Sequence, residues 1–171
     1  MIKNRVLVEG AFLIALSIIL TRFFSIKITV YGVEGVRIGL GVMPIIIAGF
    51  RLGLYQGAKV GALADIVGYL LSPGGAYMPH FTLTSALNGV LPSLLIGKKE
   101  KISEVRLVLS VVISYFVISM ILVPYFLFKL FGIPFEAIFL ARLVSFGINI
   151  VLINSILLVL DRKISILSFR N

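Results

Sequence analysis

Six apolar stretches joined by short polar or glycine-rich connections make up nearly the whole chain, at about residues 6–24, 36–50, 54–71, 81–96, 105–128 and 137–160. A helix rises 1.5 Å per residue, so about 20 apolar residues cross a hydrocarbon core roughly 30 Å thick. The pattern therefore predicts an all-α membrane protein, one integral domain over residues 1–171 built as a bundle of six transmembrane helices. The first stretch is broken only by Glu9 near its start and by Thr21 and Arg22 near its end. The second is short: the segment between Arg37 and Arg51 gives about 20 Å of helix, so it either spans poorly or begins inside a protein-lined cavity. Ahead of it, Ser25 to Arg37 holds Lys27, Glu34, Gly32 and Gly35 and is expected to be an irregular loop. Ser72 to Pro79 reads as a turn, and Pro124 is expected to kink the fifth helix or to end its regular part early.

Composition sharpens this. Apolar types make up 60% of the residues, charged types 13%, and the mean hydropathy is +1.14, more apolar surface than a soluble fold of this size can hide. Cysteine is absent and His80 is the single histidine, which excludes a disulfide framework, a thiolate metal site and a multi-histidine metal site; no cofactor is expected. The N-terminal Lys3 and Arg5 before an apolar run resemble a signal peptide, yet no small-x-small cleavage site follows, so a retained first helix is expected.

The net charge of +9 would suggest nucleic acid in a soluble protein, but here the basic residues cluster between apolar runs, so no nucleic-acid partner is expected. With a cytoplasmic N-terminus, six spans place Lys3, Arg5, Arg51, Lys98, Lys99, Lys101, Arg106, Arg162, Lys163 and Arg170 inside. Arg22, Lys27, Arg37, Lys129 and Arg142 fall at or near the outer side, and Lys59 stays within the third helix. The positive-inside rule then predicts cytoplasmic termini for a multi-pass protein of the cell membrane.

An ionisable side chain at mid-membrane costs roughly 2.5–3.5 kcal/mol on insertion scales, so each one inside a span is a functional candidate. Asp65 lies about ten residues into the third helix, near the bilayer centre. Its role is open between a structural pair with Arg22, Arg37 or Arg142 and contact with a ligand. Lys59 is expected to snorkel to the cytoplasmic interface. Asn88 sits half-way along the fourth helix, and Arg142, Ser145 and Asn149 form one stripe along the sixth. That stripe fits one wall of an anion-accepting pocket; the alternative is the hydrogen bonding between helices common in membrane bundles. Gly49, Gly53, Gly57 and Gly61 recur every fourth residue and predict close packing on both sides of a tight turn, while Ala11 and Ala15 form a shallow groove on the first helix. No serine with an intramembrane base, no aspartate pair on separate helices and no His-Glu-x-x-His occurs, and the glycines around Gly35 lack the Gly-Lys-Ser/Thr of a phosphate loop. Neither an enzyme nor an ATPase within this chain is expected.

Three stretches support a more specific reading: Arg37-Ile-Gly-Leu-Gly-Val-Met-Pro44, Gly57-Ala-Lys-Val-Gly-Ala-Leu-Ala-Asp65-Ile-Val-Gly-Tyr69 and Pro79-His-Phe-Thr-Leu-Thr84-Ser-Ala-Leu-Asn88-Gly-Val-Leu-Pro92. With the six-helix plan they resemble the substrate-binding S components of energy-coupling factor (ECF) vitamin transporters of prokaryotes, most closely the folate-specific branch. The resemblance implies a six-helix bundle that captures a vitamin from outside, while a transmembrane coupling subunit and two cytosolic ATPases supply the energy. It maps the coupling-subunit contact onto Ala11 and Ala15, and a lid onto the segments from Ser25 to Arg37 and from Ser72 to Pro79. For folate or a related pterin vitamin, Asp65 or Asn88 is the candidate for the pterin edge, Tyr77, Phe81 or Tyr69 for stacking, and Arg22, Arg37 or Arg142 for the glutamate tail, with Ser145 and Asn149 beside it and Thr84 a further folate-binding candidate. An S component for another vitamin, a stand-alone secondary transporter or channel, and a membrane scaffold without a small ligand are the alternatives.

Overall fold

The computed structural model describes residues 2–30, 33–73, 77–97 and 103–164. Its helices are α1 (Ile2–Arg22), α2 (Met43–Leu52), α3 (Leu54–Leu71), α4 (Pro79–Ile96), α5 (Glu104–Phe131) and α6 (Phe135–Ile164). Between α1 and α2 lies an antiparallel hairpin of β1 (Ser25–Val30) and β2 (Val33–Gly39), paired from Ser25 opposite Gly39 to Val30 opposite Val33 with a one-residue shift of register between Ile28 and Thr29. The basic residues Lys98, Lys99, Lys101 and Arg170 and the centre of the Ser72–Pro79 connection lie outside the described residues.

The hairpin replaces the irregular loop expected over Ser25 to Arg37, and it delays the start of α2 to Met43. The alternation Ile26-Lys27-Ile28-Thr29-Val30, resumed by Val36-Arg37-Ile38, is a strand pattern that the intervening glycines obscure. By length and apolarity alone, Asn4–Arg22, Glu104–Phe131 and Phe135–Lys163 suffice to cross a membrane. With its 10 residues, α2 covers only about 15 Å. Every residue from Met43 to Phe50 is buried, so neighbouring helices and not lipid surround it.

Glycine sets how closely α2, α3 and α4 approach. A β-carbon on Gly49 would lie 1.9 Å from the Gly89 carbonyl oxygen, one on Gly89 2.3 Å from the Gly57 carbonyl oxygen, and one on Gly61 2.3 Å from that of Ser85. Backbone thus packs directly on backbone at this junction, as small residues allow in membrane bundles. Gly53 turns the chain from α2 into α3 at φ 89°, ψ 171°, a conformation open essentially to glycine alone. Beneath it, Leu13, Met43, Ile46, Phe50, Val111, Ile153 and Leu157 form the main core. At this end the Arg51 guanidinium pairs with Glu9, and Arg162 grips Glu104 with two hydrogen bonds of 2.9 Å. Lys59 places its ammonium 4.3 Å from the centre of the Tyr55 ring on the outer face of α3.

Candidate functional site

Beneath the hairpin, between β2 and helices α3 to α6, lies a cavity of about 140 Å³. Of the residues singled out from sequence, Arg37, Asp65, Phe81, Thr84, Asn88, Arg142 and Ser145 line it together. Its charges stand on different elements: the carboxylate of Asp65 on α3, the guanidinium of Arg37 on β2 and that of Arg142 on α6.

On the α3–α4 side, the Thr82 hydroxyl donates to Asp65 Oδ2 at 2.6 Å. That uses Thr82's one proton, so in the 2.7 Å contact between Tyr77 and Thr82 the Tyr77 hydroxyl is the donor. A relay Tyr77→Thr82→Asp65 results, in which the Thr82 hydroxyl holds one oxygen of the Asp65 carboxylate. Thr84 and Asn88 are one turn apart on α4, and the Asn88 amide donates to the Thr84 carbonyl at 2.9 Å, which leaves its oxygen side as the acceptor. His80, packed against Phe81, Phe126 and Phe131 at centroid distances of 4.3, 5.5 and 6.0 Å, pins the start of α4 to the end of α5.

On the opposite wall, α5 widens into a π-helical segment, Val117–Leu122, before Pro124. The kink expected at Pro124 is thus realised one turn earlier as an expanded turn, which turns Ile118 and Ser119 to the cavity. Arg142 is 6% exposed and donates from Nη1 to the Ser119 carbonyl at 3.0 Å. Ser145 donates to the Arg142 carbonyl at 3.0 Å.

Four candidates stand outside the lining. Asn149 is fully buried, but its carboxamide accepts from the Gly39 N–H and donates to the Arg37 carbonyl, both at 2.9 Å. It pairs with β2 as a neighbouring strand would, so it holds in place the strand that presents Arg37. Arg22 reaches across to the end of α3, where Nη1 donates to the Ser72 carbonyl at 3.0 Å. Tyr77 is 41% exposed and meets the cavity only through Thr82. The Tyr69 ring packs against that of Tyr77 at a tilt of 56°, with centroids 5.2 Å apart.

Sequence reasoning passed over Tyr115 and Ser119, which also line the cavity. Tyr115 lies beside Asn149 and within the field of Arg142 and Arg37. The available signal was the spacing of Tyr115 and Ser119 at i and i+4 within the fifth stretch, which puts them on one face of a helix. Thr21 and Gly41 also line the cavity, Gly41 so near Thr21 that a β-carbon there would sit 1.9 Å from the Thr21 hydroxyl. Away from the cavity, Ala11 and Ala15 are exposed on α1 among Leu7, Val8, Phe12 and Ile19, a continuous apolar face.

The family described as the ECF-type riboflavin transporter S component matches residues 1–165. A folate transporter, FolT, of Clostridium novyi (strain NT) is 33% identical over 143 residues, covering 84% of this chain and 80% of that protein. The crystal structure of FolT bound with folic acid superposes with a TM-score of 0.79 at 27% identity, over 92% of this chain and 94% of that one. The S component of a bacterial ECF transporter shares the fold at a TM-score of 0.70 and 22% identity, over 95% and 96% of the two chains.

Proposed function

We propose, from the premise that this chain belongs to the family of ECF-type riboflavin transporter S components, that it is the folate-capturing subunit of an ATP-driven vitamin importer. The observation that carries the choice of ligand is one cavity that joins the carboxylate of Asp65 to the guanidinium groups of Arg37 and Arg142. Folate carries N–H donors on its pterin and two carboxylates on its glutamate tail. Asp65 and Asn88 accept from the pterin edge, Phe81 stacks on the ring, and Arg37 and Arg142 receive the tail. Riboflavin, named in the family description, has no carboxylate to meet two arginines. The folate transporter relative and the folic-acid-bound neighbour favour the same ligand.

At about 140 Å³ the cavity is smaller than the roughly 300–1,000 Å³ usual for drug-sized ligands. Folate entry therefore needs the hairpin, the connection between α3 and α4, or both to move outward. The hairpin end faces outside and both termini face the cytoplasm, with the basic residues Arg51, Arg106, Arg162 and Lys163 on the inner side. A partner coupling subunit sits on the exposed α1 face around Ala11 and Ala15, and two ATPases energise release; this chain itself hydrolyses nothing.

Reconstitution in liposomes tests the division of labour. The chain alone is expected to bind labelled folate without accumulating it, and to support ATP-dependent accumulation once a coupling subunit and ATPases are added. Accumulation by the chain alone would favour a stand-alone transporter.

A further inference from the structure

The π-helical segment of α5 has a consequence for ligand selection. In an ordinary α-helix the Ser119 carbonyl would accept from the N–H of Val123, four residues on. Here Val123 donates to Ile118, five residues back. Continuing that wider spacing, the next donor, for Ser119, would be residue 124, which is proline and has no N–H. The wide turn and the proline together withhold both helical donors from the Ser119 carbonyl, and Arg142 Nη1 occupies it at 3.0 Å from the facing helix. Such a carbonyl is costly to bury without a partner. A guanidinium is a rigid planar fork, so anchoring one of its N–H groups narrows the directions in which the others can point.

We infer that Pro124 is a positioning residue for anion recognition: by vacating the Ser119 carbonyl it lets Arg142 dock there and present its guanidinium to a ligand carboxylate. In the Pro124→Ala chain the new N–H competes for that carbonyl, and Arg142 loses its orientation. Position 124 then sets selectivity for the acidic tail although Pro124 itself is not among the residues lining the cavity. This inference rests on Arg142 as a receptor of the glutamate tail.

Titrations of folate and of 6-methylpterin, which lacks the tail, separate the two. Arg142→Ala is expected to weaken folate about thirtyfold or more and to leave 6-methylpterin within about twofold. Pro124→Ala is expected to weaken folate about five- to tenfold, again sparing 6-methylpterin, and to add nothing in the Arg142→Ala background. A variant that merely loosened the fold would lose both ligands alike and would act additively with Arg142→Ala. If Arg142→Ala spares folate or costs both ligands equally, the tail reading fails and this inference with it. If Arg142→Ala discriminates and Pro124→Ala does not, only the role of Pro124 is overturned.

Discussion

Asp65→Asn is expected to weaken folate and 6-methylpterin alike by about a hundredfold, from the roughly 2–5 kcal/mol that truncating a buried charge-assisted pair costs. Among the described residues Asp65 is the one carboxylate lining the cavity, on the wall formed with α4, and the Thr82 hydroxyl at 2.6 Å holds one of its oxygens. The substitution keeps the shape and removes the charge, so the Thr82 contact and the fold are retained. It exchanges an acceptor-only group for one that presents a donor to the N–H edge of the pterin. Arg142→Ala, by contrast, costs folate alone: Asp65 serves the ring that both ligands carry, and Arg142 the tail that only folate has. Calorimetric titration of both ligands checks it, and equal losses of both ligands in both variants would contradict two-ended recognition.

Gly89→Ala is expected to lower the melting temperature by about 10 °C, corresponding to roughly 3 kcal/mol of overpacking in a domain of this size. The added β-carbon meets the Gly57 carbonyl at 2.3 Å and the Gly57 α-carbon at 3.0 Å, and both are backbone atoms that cannot rotate away. Relief requires α3 and α4 to separate, which also displaces Asp65 and Asn88. Gly147 on α6 provides the control, since nothing lies within 4 Å of a β-carbon there. Gly147→Ala gains the same helix propensity, up to about 1 kcal/mol, without a clash, and is expected to be neutral or slightly stabilising. Thermal unfolding of the detergent-purified variants distinguishes them, and equal melting temperatures would mean that the junction is not tightly packed.

The helices were legible because apolar periodicity and length are properties of the chain itself, and the glycine repeat from Gly49 to Gly61 marked the helix junction for the same reason. The hairpin was not: its β-branched alternation is interrupted by glycines, and two strands gain stability here from the Asn149 carboxamide on β2, a contact across 110 and 112 residues that no local pattern encodes. Depth along a helix sufficed to nominate Asp65, Asn88, Arg142 and Ser145, which the fold brings to one cavity. Depth does not tell which way a polar side chain is satisfied, so the hydrogen bonds from Asn149 and Arg22 to backbone carbonyls could not be read from it. Ser119 was hidden because its importance lies in its main-chain carbonyl, which the π-helical segment exposes.

The most direct measurement of the central claim is calorimetric titration of the purified, ligand-free chain with folate and, separately, with riboflavin. Saturable one-to-one binding of folate, with no binding of riboflavin at the same concentrations, is the predicted result. Binding of riboflavin in preference to folate, or of neither by folded protein, would contradict it.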